Sequence, residues 1–384
     1  MPRSEIPTTR PTHAEIDLGN LRKNLMAVRD FIGESHLIMA VVKANAYGHE
    51  SVVCSTELEK AGADWFGVAL PEEGIELRNG GVTKPILCFG NWPGQEEKML
   101  ERDLTPAIFQ IERAASFNQA AMRQSKTVRV HIKIDTGMGR VGVPLNEVAD
   151  FAATLKQFQN IEVEGLMTHF ASADELFSKQ TNEQMRLFAA AVETFHAHGF
   201  RPKFIDMANS PGAIIHPESR ATMVRIGGLL YGLGGDVLPK DFAGPELRSV
   251  LSLRSEISFL KTVPVGTTIG YGRTFITERE SMIATIPIGY HDGLPRSLSN
   301  NGRVLVNGQF APIVGRVSMD WTTIDVTDVE DAKVGSEVVL IGAQGDEQIT
   351  AEDIAGLTGT ISYEITCGIG SRVPRIYTTT DDTD

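Results

Sequence analysis

The first two thirds of the chain alternate short apolar runs with amphipathic segments, and this alternation limits the possible folds more than any other feature. The runs have the length of buried strands, and segments between them, such as "PEEGIELRNGG" and "IERAASFNQAAMRQ", have a helical pattern. Strands that are apolar throughout and separated by helices belong to parallel sheets covered on both faces. The runs are 38–42, 65–69, 86–89, 106–109, 128–134, 161–167, 204–207 and 223–226.

Eight such units in about 230 residues predict a closed (β/α)8 barrel of the TIM type rather than an open sheet. After about Pro245 the pattern changes to short strands with Gly, Pro and Asn turns, such as "SMIATIPIGY" and "SEVVLIG". The Asn307-Gly308 pair predicts a hairpin, and only "TAEDIAGLTG" looks helical, with Thr350 as its N-cap. We therefore predict an α/β barrel over residues 15–244 and a mostly β domain over 245–384.

Composition narrows the function without deciding it. The 384 residues are 42% hydrophobic and carry a formal charge of −13, which argues against nucleic acid or a membrane surface as the main partner. No secretory signal or membrane-spanning run is visible. The three widely spaced cysteines, Cys54, Cys88 and Cys367, indicate a reducing compartment, hence the cytoplasm, and no zinc site or other metal site.

Polar residues collect where the predicted barrel strands end, which is where barrel enzymes carry their chemistry. They would share one rim, and this coincidence is the main evidence from the residues for an active site. In chain order they are Lys43, Lys133, Asp135, Arg140, His169, Asn209, Ser210, Arg225, Gly227 and Gly228.

Lys43 and the last two loops together indicate a cofactor. A lysine at a strand end often only extends its stem to solvent, but a desolvated one can form a Schiff base. The loops after strands seven and eight usually bind phosphate in such barrels, and here they offer the Ser210 hydroxyl and the N–H groups of Gly227 and Gly228. A lysine and a phosphate cradle on one rim are what pyridoxal 5′-phosphate requires.

Two further rim residues allow alternatives. Arg225 could donate to the pyridine nitrogen of the cofactor and keep it unprotonated, or it could pair with a carboxylate inside the barrel. His169 could be a hydrogen-bonded structural residue, although we favour a contact with the cofactor over proton transfer.

The segment "GMGRVG" at 137–142 matches the dinucleotide fingerprint and supports a rival, a nicotinamide-dependent oxidoreductase. Pro144 delays any following helix, so a phosphate would lack a helix N-terminus near the glycines. We interpret the loop instead as presenting Arg140 to a substrate carboxylate.

Motifs along nearly the whole chain resemble those of alanine racemases, the pyridoxal-phosphate-dependent, barrel-type (fold III) family. The matching segments are "VVKANAYGHE", "HIKIDTGMGRVG", "GLMTHFASADE", "MANSPGAI", "MVRIGGLLYGL", "GYGRTF", "IPIGYHDGLPR" and "VGRVSMDW". The resemblance implies interconversion of L- and D-alanine by two bases, Lys43 for the D-enantiomer and Tyr271 for the L-enantiomer.

The resemblance also assigns the remaining site residues. Lys43 would carry the cofactor, Arg225 would face its ring nitrogen, and His169 and Asn209 would support it. Its phosphate would be bound by Tyr47, Ser210, Gly227, Gly228 and Tyr363. Substrate binding falls to Arg140 and Met319, with Lys133 where the family often has a carbamylated lysine. Residues lining the substrate entrance would be Asp174, Tyr290, Arg296 and Arg316.

The family forms head-to-tail homodimers in which Tyr271 and Met319 reach the partner's site, and residues 1–14 would join the β domain. Ser318, His291 and Gly228 depart from the commonest pattern, and we expect them to alter the entrance or the kinetics rather than the reaction. The implied role is D-alanine supply for peptidoglycan, with alanine catabolism left open.

Three rivals remain on the sequence. Broad-spectrum or serine racemases use the same scaffold. Barrel-type amino-acid decarboxylases share the lysine motif, but they would need an acidic partner for the ring nitrogen and an E-P-G-R stretch that is absent here. A non-catalytic cofactor-binding barrel would lack the β domain that carries Tyr271.

Overall fold

The computed structural model describes residues 9–239 and 242–380. The chain divides into two compact units. Among the described residues, the barrel unit comprises 21–46, 50–239 and 242–247, and the β unit comprises 9–20, 47–49 and 248–380. Residues 1–8 of the segment 1–14 that was predicted to join the β domain lie outside the described residues. No helix in the described ranges is both long and apolar enough to cross a membrane.

The barrel unit contains a closed ring of eight parallel strands, which confirms the predicted fold class. Strand β1 (His13–Asp17) precedes the ring and belongs to the β unit, and the short strand β7 (Val143–Pro144) pairs only with β6. Closure comes from β10, which pairs in parallel with β2. Each ring strand ends within two residues of its predicted limits: β2 (Leu37–Val41), β3 (Trp65–Val68), β4 (Ile86–Cys88), β5 (Leu104–Ile108), β6 (Val128–Asp135), β8 (Ile161–Met167), β9 (Phe204–Asp206) and β10 (Met223–Ile226).

Helices follow the strands because the segments between them place apolar residues on one side. The longest, at 179–197, begins at the N-cap Ser178, whose side chain accepts from the N–H of Thr181. It stops before Gly199, which adopts φ +89°. The helices of this part of the chain are α1 (Leu18–Ile32), α2 (Ser51–Lys60), α3 (Pro71–Asn79), α4 (Glu96–Glu101), α5 (Ile111–Arg123), α6 (Val148–Leu155), α7 (Lys179–Ala197) and α8 (Ser210–Ile215).

The barrel interior is filled by side chains from alternate positions of the strands. A buried apolar cluster contains Met39, Trp65, Leu87, Met167 and Met223. Since side chains alternate along a strand, a residue two positions after a member of this cluster also points into the barrel interior. Lys133, Asp206 and Arg225 are buried in this way near the carboxyl ends of their strands.

In its described residues, the β unit is built from antiparallel pairings and one parallel pair, β1 with β21. Its main sheet runs in the order β17-β16-β19-β11-β1-β21, with β20 on β19, and smaller sheets join β12-β15-β18 and β13-β14. The strands are β11 (Leu251–Glu256), β12 (Phe259–Val263), β13 (Thr268–Ile269), β14 (Phe275–Ile276), β15 (Ser281–Ile286), β16 (Arg303–Val306), β17 (Gln309–Pro312), β18 (Thr322–Asp325), β19 (Glu337–Gln344), β20 (Glu347–Ile349) and β21 (Arg375–Thr378).

The turn and helix-cap residues of the β unit predicted most of its local structure correctly. Asn307 (φ 50°) and Gly308 (φ 76°) form the predicted two-residue hairpin turn. Helix α9 (Ala351–Thr358) begins at its N-cap Thr350, as predicted. The prediction that no other segment here is helical was wrong, because α10 (Ser362–Gly368) follows it. Its sequence, "SYEITCG", is short and rich in residues that also favour strands.

Candidate active site

Lys43 begins a left-handed turn two residues after the end of β2. Ala44 to Tyr47 have φ values between 52° and 54°, although none of them is glycine. Such backbone costs about 1–2 kcal/mol per residue and persists only where the surroundings fix it. Here the N–H of Ala44 donates to Glu73 Oε1 (2.7 Å), and the N–H of Ser51 donates to Asn45 Oδ1 (2.9 Å). The polar residues behind the lysine therefore hold a strained turn.

Lys133 is buried on β6, and its amine is a poor cation there. Burial lowers its pKa to about 8, with further lowering by the positive charges of Arg225, Arg140 and Lys43. Asp135 partly opposes this shift. A sizeable fraction of this amine is therefore neutral near pH 8, unlike an exposed lysine.

The glycine-rich loop after β6 does not form a dinucleotide site. Asp135 Oδ1 accepts from the N–H groups of Gly137 (3.0 Å) and Gly139 (3.1 Å), which closes a tight turn. A Cβ on Gly142 would lie 2.4 Å from the nitrogen of Asp135, so the turn requires glycine there. Strand β7 follows and α6 begins only at Val148, as the position of Pro144 predicted. Arg140 is exposed on this loop.

Arg225 and His169 are hydrogen-bonded partners at the barrel mouth. Arg225 Nη2 donates to His169 Nδ1 (3.1 Å) and to the carbonyl oxygens of Thr168 (2.9 Å) and Met207 (3.2 Å). Burial, followed by the charge of Arg225, lowers the pKa of His169 well below its ordinary value. The imidazole is therefore neutral, with its proton on Nε2.

Arg225 also pairs with Asp206, a residue that the sequence reasoning missed. Its Nη1 donates to Asp206 Oδ1, and the two side chains are 3% and 0% exposed. The pairing with a carboxylate inside the barrel, left open on the sequence, is thus present. Within residues 9–239 and 242–380, Arg225 Nε has no hydrogen-bond acceptor, so a donor remains for a ligand.

The loops after β9 and β10 meet in one cradle. The N–H of Gly227 donates to Ser210 Oγ (2.9 Å), and the N–H of Arg225 donates to the carbonyl of Ala208 (2.9 Å). Asn209 caps α8 by accepting from the N–H of Gly212 (3.0 Å), so its side chain orders the loop. Hydroxyl and N–H donors at the end of a barrel suit a phosphate dianion.

Two predicted phosphate ligands meet within the β unit. The rings of Tyr47 and Tyr363 pack edge to face, with centroids 5.3 Å apart. Burial raises the pKa of Tyr47, so its hydroxyl remains a donor. A Cβ on Gly48 would lie 2.1 Å from the carbonyl oxygen of Thr366, which shows how closely the tyrosine's chain passes the helix of Tyr363.

Tyr271 and Met319 are strongly exposed in this unit, at 73% and 51%. Tyr271 lies in the turn between β13 and β14, flanked by Gly270 and Gly272, both with φ 72°. The guanidinium of Arg316 packs near Gly272, 3.5 Å from where its Cβ would be. Both predicted site residues therefore lie on the surface of the chain.

The segments of Tyr290 and Met319 are joined through their backbones. The N–H of Tyr290 donates to the carbonyl of Ser318 (2.9 Å), and the N–H of His291 donates to that of Met319 (3.1 Å). Arg296 follows in a short 3-10 turn, Arg296–Leu298. Asp174, the remaining predicted entrance residue, is exposed on the loop after β8 of the barrel unit.

Comparison with known proteins identifies relatives of both units. Residues 16–234 match the family described as "Alanine racemase, N-terminal domain", and residues 250–377 match "Alanine racemase, C-terminal domain". A curated alanine racemase from Halothermothrix orenii is 46% identical over 371 residues, which cover 96% of this chain and 97% of that one.

Solved structures are similar over nearly the whole chain. Alanine racemase from Bacillus anthracis, with bound L-Ala-P, has a TM-score of 0.92 at 38% identity, covering 97% of this chain and 96% of that one. Alanine racemase from Bartonella henselae, with covalently bound pyridoxal phosphate, has a TM-score of 0.86 at 28% identity, covering 96% and 99%.

Proposed function

The chain belongs to the alanine racemase family, and on that premise we propose that it interconverts L- and D-alanine with pyridoxal 5′-phosphate bound at the barrel mouth. The observation that carries this proposal is the arrangement around Arg225. His169 and Asp206 hold one edge of the Arg225 guanidinium, and Nε remains available as a donor. Gly227, two residues further along the chain, bonds to Ser210, and together they form the cradle of phosphate donors.

The residues present fit this cofactor. Ser210, Gly227 and Gly228 offer donors and no carboxylate to the phosphate, and the family resemblance adds Tyr47 and Tyr363. Arg225 Nε would donate to the ring nitrogen, and its permanent charge would keep that nitrogen unprotonated. When bound, pyridoxal 5′-phosphate withdraws electrons from the substrate's α-carbon and so acidifies the proton on it.

Two groups of the protein would move that proton. Lys43 Nζ would hold the cofactor covalently and, once released from it, exchange the proton of D-alanine. Tyr271 Oη would exchange the proton of L-alanine from the opposite face. Racemisation needs a base on each face, because a single base would return the proton to the side from which it came.

Arg140 and Met319 would bind the substrate carboxylate, and Lys133 would orient Arg140. The lowered pKa of Lys133 supports the carbamylated form that the resemblance implies, because carbon dioxide adds only to a neutral amine. A carbamate would also supply an anion among the cations Arg225, Arg140 and Lys43.

A homodimer is part of the proposal. Tyr271 and Met319 are exposed together with Trp321 and Tyr290, and Phe177 on the barrel unit is 92% exposed. Exposed aromatic side chains in such number mark contact surfaces. In the proposed dimer, Tyr271 and Met319 complete the partner's site. Tyr290, Arg296, Arg316 and Asp174 would line the entrance and favour a small side chain, and the cytoplasmic product would supply peptidoglycan synthesis.

The first test is optical rotation of alanine, serine, lysine and arginine solutions with the purified enzyme, with carbon dioxide measured in parallel. We expect racemisation of alanine above the others. Release of carbon dioxide without racemisation would instead assign a decarboxylase. Borohydride treatment should leave the cofactor attached to the peptide containing Lys43.

Deuterium uptake at the α-carbon in D2O distinguishes the roles of the two proposed bases, Lys43 and Tyr271. Tyr271→Phe should slow racemisation about 10²–10⁴-fold in both directions, because one proton-transfer group is lost. D-alanine should still exchange its α-proton through Lys43, whereas L-alanine should not. Tyr377→Phe, which also removes the hydroxyl of an exposed tyrosine, is the control. Full racemisation by Tyr271→Phe would exclude the proposed mechanism while leaving the cofactor in place.

A further inference from the structure

The Arg225–Asp206 pair is enclosed by the barrel. The two strands are neighbours, with Met223 of β10 opposite Asp206 of β9, so both side chains enter the interior at adjacent positions. Asp206 Oδ1 accepts from Arg225 Nη1, while Asp206 Oδ2 is buried and has no partner in the described ranges. This carboxylate is therefore committed to the arginine.

Asp206 restrains a side of the guanidinium that the other contacts leave free. The carbonyls of Thr168 and Met207 and the imidazole of His169 all accept from Nη2. Bonds to a single nitrogen allow the group to rock about that atom. The bond from Nη1 to Asp206 adds a second point of attachment, and two points fix the plane.

The surroundings also require an anion. The positive charges that act on His169 are those of Arg225, Lys133, Arg140 and Lys43. Asp206 is the carboxylate bonded to Arg225 in the part of the chain that the structure describes. Burial raises the pKa of Asp206, and the charges of Arg225 and Lys133 work against that rise.

The described side chains that pack in the barrel interior next to this pair supply no other anion. The ring of His131 packs against Trp65 and Phe204, and neither of its nitrogens has a partner in the described ranges. Around it lies the apolar cluster of the barrel interior. An uncompensated guanidinium would be costly in such a place.

We propose that Asp206 is a positioning residue for the racemase reaction: its carboxylate fixes the plane of Arg225 and compensates its charge, so that Nε stays available to the cofactor ring. This inference rests on the proposed function. It adds a residue that never touches substrate or cofactor and acts only through Arg225.

The two parts of the role can be separated by substitution. Asp206→Asn keeps the size of the side chain and can still accept a bond, but it loses the charge. Asp206→Glu keeps the charge and displaces the carboxylate. Glu96→Gln is the control, because Glu96 pairs with Arg113 on the helices outside the barrel and these two side chains are also mostly buried, at 11% and 9% exposure.

Three readouts are measured on each protein. They are the affinity of the cofactor-free protein for added pyridoxal 5′-phosphate, the pH midpoint of the bound cofactor's absorbance, and kcat in both directions. For Asp206→Asn we expect a ten- to hundredfold loss of kcat and about tenfold weaker cofactor binding, since a charged bond is lost. The absorbance midpoint should fall by about one pH unit, because an uncompensated cation disfavours protonation nearby. The other titratable groups that face the site are Lys43, Lys133, Asp135, Arg140 and the neutral His169, and they are unchanged in the variant.

Asp206→Glu should keep the wild-type midpoint while losing kcat, and Glu96→Gln should match the wild type in midpoint and cofactor affinity. Arg225→Gln supplies the test of coupling: the double variant with Asp206→Asn should show no larger midpoint shift than Arg225→Gln alone. If Asp206→Asn does not fold, Asp206→Glu and this double variant, in which no unpaired charge is buried, still decide the question.

The outcomes separate the two levels of inference. A wild-type protein without racemase activity would overturn the proposed function. An active wild type with Asp206→Asn indistinguishable from Glu96→Gln, or additive midpoint shifts in the double variant, would overturn the role of Asp206 alone.

Discussion

Arg225 donates through Nη2 to Nδ1 of His169 over 3.1 Å, and this bond fixes the imidazole proton on Nε2. His169 therefore acts on the arginine as a neutral acceptor. Its low pKa agrees with this assignment, because burial and the adjacent guanidinium both oppose a second proton. The geometry makes His169 a support for Arg225 rather than an acid at neutral pH.

Replacing His169 should therefore reveal whether its acceptor or its bulk matters. His169→Leu removes the acceptor, and we expect a ten- to hundredfold loss of kcat, as for other hydrogen bonds to charged groups. His169→Asn offers an amide oxygen near the position of Nδ1, and it should retain activity within about tenfold. Equal losses in the two variants, measured by optical rotation, would assign the residue to packing alone.

In the cofactor-free protein without the carbamate, the free amine of Lys133 should make the free energy of unfolding rise with pH. Its pKa is about 8 in the folded protein, against an ordinary 10.5. Between these values the unfolded chain holds a proton that the folded chain lacks, so stability increases there. Lys133→Met removes the buried cation and should be more stable at pH 7 by roughly 3 kcal/mol, a difference that shrinks to nothing by about pH 10.5.

Urea unfolding of both proteins at pH 7, 8.5 and 10 measures this difference. Lys84→Met, at an exposed position of the same unit, controls for the introduced methionine. A constant gap between Lys133→Met and the wild type at all three pH values would show that Lys133 keeps an ordinary pKa.

The barrel could be predicted because its strands must be apolar on both faces. Each of the eight runs marks a strand buried between the interior and a helix, so composition alone located it. The direction of parallel strands then placed Lys43, His169, Ser210 and Arg225 at one end. The contacts between these side chains could not be predicted from the sequence, because they depend on the pairing of β10 with β2 that closes the barrel.

Two features of the site escaped prediction for different reasons. The left-handed turn at Ala44 has no local signal, since alanine does not favour that conformation and the stabilising Glu73 lies 29 residues away. Asp206 had a signal: it lies two positions after Phe204, so period-two alternation puts it inside. The predicted run 204–207 contained Asp206, but no role was assigned to this residue.

His131 should make the protein sensitive to acid. Burial lowers its pKa to about 3, so between pH 6.5 and 3 the unfolded chain binds a proton that the folded chain excludes. One such group lowers the free energy of unfolding by about 1.4 kcal/mol per pH unit on acidification. His131→Met, of similar volume, should remove that slope between pH 6 and 4 in urea unfolding. Equal slopes in the two proteins would mean that His131 is protonated in the fold.

The turn after β2 should tolerate glycine unusually well. Ala44 is exposed with φ 54°, so Ala44→Gly leaves no cavity and relieves about 1–2 kcal/mol of backbone strain. Glycine's greater freedom in the unfolded chain offsets about 0.4–1 kcal/mol of this. We expect stability that is unchanged or higher by up to about 1.5 kcal/mol. Ala189→Gly, exposed within α7, should instead lose about 1 kcal/mol, as glycine does in regular helices. Urea unfolding of the cofactor-free variants measures both, and equal losses would mean that the turn is not left-handed in solution.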